Sequence, residues 1–348
     1  ELCDTYGIHY LGVGVSGGEK GALYGPSMMA GGSEEGYQIC QNILETCAAS
    51  VDKVPCCAYV GPQGAGHYVK MVHNGMEYAM LQIVAEIYTF MKQSLRLSHE
   101  KILETFEGWK RSGISSYIID ISVSVLRKNE NGKPLVEQIL DVAGQKGTGR
   151  WTLEEGIQRG IYIPTIYEAV AARNFSLRKE ERKKGNQILG TLQEKMEIEF
   201  YQKVMGDALE LGMLICYAQG FSLIEQASTD FEWNMELANL AVIWRKGCII
   251  RSEMLSSIQK ALQEESMIIF SSQFKQIEEL SKALRLCVGK ANQAGMAMPG
   301  LASVMHYYDY YRMETLPIQF IQALRDCFGA HTYQRIDKEG DFHTNWEE

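Results

Sequence analysis

The sequence has no Cys-x-x-Cys pair, only seven prolines in 348 residues, and no surplus of positive charge. Each absence excludes something. The nine cysteines are an odd number with only Cys56 and Cys57 adjacent, so neither a disulfide framework nor a metal site is indicated, and a reducing, cytoplasmic setting fits best. A net charge of -9 opposes non-specific grip on nucleic acid or an anionic membrane, because the summed field repels phosphate. Any anionic ligand must therefore meet a local basic cluster. No apolar run reaches membrane-spanning length, and residues 1–20 lack the basic start and apolar core of a signal peptide. No strand-like segment leads into Gly-x-Gly-x-x-Gly. The loop GPQGAG at 61–66 has the wrong spacing, with a proline where a phosphate loop needs open N–H groups.

What is present divides in two. Residues 8–15, IHYLGVGV, are β-prone and run into the tight turn Ser16-Gly17-Gly18, and CCAYV at 56–60 reads as another short strand. Residues 1–64 thus look like the tail of an α/β sheet, since a doubly wound sheet needs about 100 residues or more. From residue 65 the pattern becomes helical, with candidates at 66–92, 98–109, 115–128, 134–142, 165–183, 191–218, 220–227, 234–246, 249–261, 275–293 and 299–311. Pro134, Pro164 and Pro299 stand at helix starts, where a missing N–H costs little. The fold expected is mainly α: an all-helical domain over 65–325 preceded by a sheet remnant. Residues 326–348 have many charges and no period, and read as a tail.

The most informative helix is KMVHNGMEYAMLQIVAEIY. At about 100° per residue, Lys70, His73, Asn74 and Glu77 share one stripe with Tyr78 at its edge, while Val72, Met76, Met80, Ile83 and Ile87 form the opposite face. A solvated face is the ordinary meaning of such a stripe. Gly75 argues against it, since a mid-helix glycine costs about 1 kcal/mol and permits close approach of a ligand or neighbouring backbone. A Lys and Glu on one face can divide proton transfer, because burial lowers the first pKa and raises the second. Elsewhere, GQKGTGRWT sets Lys146 and Thr148 among glycines whose backbone donors are accessible, as phosphate binding requires. Arg173 interrupts an apolar helix and must snorkel or meet an anion. Arg325 and His331 flank Phe-Gly-Ala near the end.

Together these segments closely resemble the decarboxylating 6-phosphogluconate dehydrogenase family. The resemblance rests on GVSGGEKGALYGPSMMAGG (14–32), GHYVKMVHNGMEY (66–78), DVAGQKGTGRWT (141–152), YAQGF (217–221), WRKGCIIRS (244–252) and RDCFGAHTYQRID (325–337), in family order over essentially the whole chain. It implies Lys70 as general base and Glu77 as general acid. Ser16, Gly17, Gly18, His73 and Asn74 then contact the sugar acid, and Tyr78, Lys146, Thr148, Arg173 and Arg325 the phosphate, with His331 alongside. It also implies NADP as coenzyme, 6-phosphogluconate as substrate, a place in the pentose phosphate pathway, and a homodimer whose C-terminal tails reach into the partner subunit. Smaller 3-hydroxyacid dehydrogenases share a helix-borne Lys and Asn but lack this phosphate set.

The sequence departs from the family at Ala79 and Met80, where Gly-Asp is usual, and over 152–163 and 221–236. The larger expectation concerns the front. No glycine-rich nucleotide turn precedes Ser16, so most of the NADP-binding domain is expected to be missing and the chain alone is expected to be inactive. The alternative is a non-catalytic protein derived from that enzyme, one that binds a sugar-acid phosphate or simply dimerises.

Overall fold

The computed structural model describes residues 2–190 and 194–347. They form two compact units divided between Met305 and His306. In the first, α1 (Leu2–Thr5) precedes β1 (Leu11–Ser16), α2 (Gly18–Tyr24), β2 (Ser27–Gly32), α3 (Glu34–Cys47), the two-residue pair β3 (Ser50–Val51) and β4 (Val54–Pro55), and β5 (Cys57–Gly61). The main sheet runs β1-β2-β5, antiparallel in its first pair and parallel in its second. Both expected strands are present. The central strand β2 escaped the sequence reading because five of its six residues are buried, which erases the alternation that marks a half-exposed strand. An antiparallel partner needs no full crossover, so the short α2 suffices to join β1 to it.

The helices that follow are α4 (Ala65–Gln93), α5 (His99–Lys110), α6 (Tyr117–Arg127), α7 (Thr148–Gln158), α8 (Pro164–Ser176), α9 (Lys179–Leu189), α10 (Tyr201–Asp230), α11 (Leu237–Ile243), α12 (Leu255–Glu264), α13 (Ile277–Gln293) and α14 (Pro299–Tyr310). Several expectations need correction. No α-helix occupies 134–142. Instead β6 (Asn129–Glu130) and β7 (Lys133–Pro134) form a hairpin whose turn residues Asn131 and Gly132 both have positive φ, followed by a 3-10 turn at Leu135–Gln138. Asn-Gly was the available signal for that turn. The candidate at 165–183 is two helices, and those at 191–218 and 220–227 merge in α10 only from Tyr201 onward; 194–200 are not helical and 191–193 lie outside the described residues. The expectation that no apolar run reaches membrane-spanning length meets an exception here by length and composition. At 30 residues α10 is long and apolar enough by length and composition, yet 83% of its apolar window is buried and it packs between α4 and α13.

That packing is close because glycine lines it. A methyl group at Gly220 would overlap Met76 Sδ, and one at Gly212 would lie 2.7 Å from Ile83 Cδ1. Fully buried Ile83, Ile87 and Phe90 of α4 each contribute about 1.5–3 kcal/mol of hydrophobic stabilisation. Buried Glu86 accepts the Gly300 and Leu301 N–H groups at 2.8 and 2.9 Å, capping the start of α14 against the middle of α4. The catalytic-looking helix is therefore braced along its length.

The second unit contains α15 (Ile318–Gly329), which the sequence reading missed, and a hairpin of β8 (Tyr333–Gln334) and β9 (Asp341–Phe342). The 326–348 segment is thus not without structure of its own. It folds around the fully buried carboxylate of Asp326, which accepts from the Thr332 and Thr344 N–H groups, Trp346 Nε1 and the His343 ring.

Candidate active site

β1 delivers Ser16 beside α4. Gly14 permits this, since a methyl there would lie 2.5 Å from Lys70 Cβ, so strand and helix meet at the stem of that lysine. Ser16 Oγ lies 3.2 Å from His73 Nε2, and on the other side of the ring His73 Nδ1 lies 3.3 Å from Lys70 Nζ and 3.4 Å from Asn74 Oδ1. After Ser16 the chain turns through Gly17 (φ 125°), the N-cap of α2, and Gly18 (φ 59°), leaving the turn free of side chains.

The stripe on α4 is not solvated. His73 and Tyr78 are buried and Lys70, Asn74 and Glu77 half-buried. Burial pulls the Lys70 ammonium below its ordinary range against the opposing attraction of Glu77 and Cys248. Burial pushes the Glu77 carboxyl up, against Lys70 and Arg173. His73 is driven well below its usual value, first by burial and then by Lys70, so its ring is neutral. Among the described residues neither Lys70 nor Glu77 forms an ion pair within 4 Å. A base and an acid thus stand on one face with shifts of opposite sign, the pattern needed for proton transfer in both directions near neutral pH.

Farther along, the Arg173 guanidinium of α8 stacks over the Tyr78 ring at 3.4 Å from its centroid. Gly149 of α7 sits against the same ring, where a methyl would be 2.8 Å from Cδ1. Thr148 opens α7 and faces a cavity of about 590 Å³ shared with Lys70, Asn74, Trp151 and Trp233. Lys146 is exposed in the loop before it. Of the close approaches anticipated at Gly75, the structure shows that of a neighbouring element, through a side chain and not through backbone. A methyl there would lie 2.6 Å from Thr152 Cγ2, and Thr152 Oγ1 lies 2.9 Å from both the Met71 and Thr148 carbonyls it donates to. Gly75 therefore admits α7, which carries Thr148 to the lysine.

The structure brings together Ser16, Gly17, Gly18, Lys70, His73, Asn74, Glu77, Tyr78, Thr148 and Arg173. Arg325, whose guanidinium donates to Gln322 at 2.8 Å, and His331, edge-on to Phe328, belong to the second unit. The sequence reading missed Cys248, Trp244 and Thr152. Trp244 is fully buried with its ring edge-on to His73, 5.7 Å between centroids. Its only signal was its place in WRKGCIIRS. Among the described residues no group of three His, Cys, Asp or Glu side chains suits a metal ion.

Residues 1–61 match the NAD binding domain of 6-phosphogluconate dehydrogenase, which makes the class that of nicotinamide-dependent oxidoreductases. Residues 66–346 match the 6-phosphogluconate dehydrogenase C-terminal domain, and the chain belongs to the NADP-dependent, decarboxylating 6-phosphogluconate dehydrogenase family. It is 45% identical to the NADP(+)-dependent, decarboxylating enzyme of Bacillus subtilis (strain 168) over 99% of this chain and 76% of that one. It is 47% identical to the Staphylococcus aureus (strain N315) enzyme over 98% and 75%. The solved Plasmodium falciparum 6-phosphogluconate dehydrogenase, described in apo form and in complex with NADP+ and with 6-phosphogluconate, superposes with a TM-score of 0.96 at 38% identity, over 99% of this chain and 76% of that one.

These matches overturn two expectations. Residues 1–61 match the NAD binding domain, so a coenzyme-domain segment is present in this chain, and the expected inactivity, which rested on its loss, is not supported. The missing Gly-x-Gly-x-x-Gly misled because it samples one turn of such a domain, whereas β1, β2 and β5 with their helices are a different part of it. NADP binding is a property of this family. The side-chain-free Gly17-Gly18 turn beside Ser16 and Lys70 fits the flat reacting end of that coenzyme.

Proposed function

We propose that the protein oxidises 6-phosphogluconate and releases CO2 to give ribulose 5-phosphate. Lys70 accepts the proton of the substrate's 3-hydroxyl, for which its lowered basicity suits it. NADP would supply the hydride acceptor for C3, and Gly17 and Gly18 would help to hold its reacting end. The resulting 3-keto acid loses its carboxylate as CO2, leaving an enediol. Glu77, whose carboxyl burial pushes up, delivers the proton to the former C2, which becomes C1 of the product. Ser16, Gly17, Gly18, His73 and Asn74 hold the sugar acid, and Tyr78, Lys146, Thr148 and Arg173 its phosphate.

The carrying observation is the Lys70 and Glu77 pair with opposed shifts, joined through His73 to Ser16. In the same reading the chain works as a homodimer in the cytoplasm, with Arg325 and His331 of each tail completing the partner's phosphate end. Exposed Phe320, Phe328 and Ile336 in the second unit favour a partnered tail, and nine free thiols suit a reducing compartment. The test is formation of NADPH and ribulose 5-phosphate from 6-phosphogluconate and NADP. Saturable substrate binding in calorimetry without turnover would replace this reading with that of a binding protein.

A further inference from the structure

Next to the Gly17 turn lies a second, smaller cavity of about 180 Å³, walled by Lys20, Lys246 and Arg251 and floored by Gly17, Gly21 and Gly247. No acidic residue lines it. Among the described residues none of the three cations has a carboxylate within ion-pair distance, although the chain has nine more acidic than basic side chains. Such clustering is costly without a counter-charge. Two of the cations are held in place by contacts that leave their charge unneutralised. Lys246 Nζ donates to the Ser50 carbonyl at 3.2 Å, and Arg251 donates to the Cys248 carbonyl at 2.5 Å while stacking on Tyr117, 3.5 Å from its centroid. The glycine floor leaves room for a compact ligand.

We propose that this cavity binds a phosphoryl dianion, as free phosphate or a small phosphate monoester, at a position separate from the Lys146, Thr148 and Arg173 cluster. Three cations lining one small cavity without a carboxylate match a compact dianion better than a monoanion or an extended chain. The cavity also connects to the catalytic turn. A methyl on Gly17 would lie 2.5 Å from the Gly247 carbonyl, so the cavity floor and the catalytic turn are in backbone contact. A bound anion braces Gly17 and Gly247 together and so steadies the Ser16–Gly18 turn.

The experiment uses the full chain carrying Arg173→Ala and Lys146→Ala, which weaken the other anion cluster. Inorganic phosphate and glycerol phosphate are titrated separately against sodium chloride at matched ionic strength, following Tm and hydrogen exchange of residues 16–24. Saturable stabilisation and slower exchange by either probe are expected, and the probe that works identifies free phosphate or a monoester. Adding Lys20→Gln and Lys246→Gln, both at exposed positions, is expected to weaken binding about 10-fold or more, by loss of two charge-assisted contacts. No saturable response, or one that survives the two glutamines unchanged, overturns the proposal. Circular dichroism that matches the parent chain keeps a folding defect from passing for either result.

Discussion

Ser16 Oγ and His73 Nε2 meet at 3.2 Å across 57 residues of chain, and this contact locks the end of a strand to the face of the reactive helix. His73 is neutral and its Nδ1 faces Lys70 Nζ, a donor, so Nε2–H donates to Ser16. Ser16→Ala leaves that buried N–H without an acceptor. The expected loss is about 1–3 kcal/mol in urea unfolding, with weaker binding of the sugar acid in calorimetry. An unchanged unfolding midpoint would contradict the assigned contact.

Lys70→Met is expected to abolish NADPH formation while raising stability by about 0.5–2 kcal/mol, because functional sites hold groups that the fold tolerates at a cost. The sign follows from linkage. With its folded pKa below the ordinary 10.5, Lys70 destabilises the fold progressively as pH falls below that value, and the cost is full below its folded pKa. Methionine removes the cost. Thermal unfolding of both proteins at pH 7 measures it, and a lower Tm for the variant contradicts the shift.

The same shifts predict a bell-shaped profile of kcat/KM. Activity rises with pH as Lys70 loses its proton, below the ordinary lysine range, and falls as Glu77 loses its own, above the ordinary value of 4.5. Glu77→Gln is expected to cut the rate and erase the alkaline limb. If that limb persists in the glutamine variant, Glu77 is not the acid.

The α4 stripe was legible from the sequence because helical period is a local property, readable from Lys70, His73, Asn74 and Glu77 alone. Its burial was not. That depends on β1, α7 and Trp244, which arrive from distant parts of the chain. Gly75 shows the difference well: its cost was visible, but the reason lay in Thr152, a residue 77 positions away in sequence. Likewise β2 and α15 were missed for opposite reasons. One is too buried to alternate, whereas the other carries a helical stripe of Phe320, Ile321, Leu324 and Phe328 that stays largely exposed and was passed over as part of the polar end of the chain. Arg173 was legible as an isolated charge in an apolar helix, whereas its stacking on Tyr78 needed the crossing of α4 and α8.

Arg173→Ala therefore separates phosphate recognition from sugar-acid recognition. The guanidinium is held against the Tyr78 ring, so its loss should weaken binding of 6-phosphogluconate about 10- to 100-fold, the value of one or two charge-assisted contacts. Gluconate affinity should change little. Equal losses for both ligands in calorimetry argue against a phosphate role.

Gly75→Ala pits two effects against each other. Alanine gains about 1 kcal/mol of helix propensity, but its methyl would press on Thr152 at 2.6 Å, and overpacking costs about 1–3 kcal/mol. The net expectation is destabilisation together with a higher KM, as α7 and Thr148 are pushed from Lys70. Thr152→Ala in the same chain removes Cγ2 and Oγ1 and should recover part of both losses. Strict additivity of the two substitutions in a double-mutant cycle would show that the residues do not touch.

Asp326 gives the last prediction, in the second unit. Burial pushes its carboxyl up, but hydrogen bonds from His343, the Thr344 N–H and Trp346 outweigh this and bring it down to about 2. A depressed folded pKa means the stabilisation is present above the ordinary carboxylate value of 3.8 and is lost as pH falls toward about 2. Asp326→Asn removes it at every pH and leaves donors facing donors around Trp346 and the Thr344 N–H. Residues 332–346 of the variant should then exchange amide hydrogen faster at pH 7, and acid treatment of the parent should reproduce that loosening only below about pH 4, from the same linkage. If the tail also carries Arg325 and His331 into a partner, the variant should bind 6-phosphogluconate more weakly without any change at Lys70. Hydrogen exchange and calorimetry on one preparation test both, and unchanged exchange over 332–346 would show that Asp326 does not organise the tail.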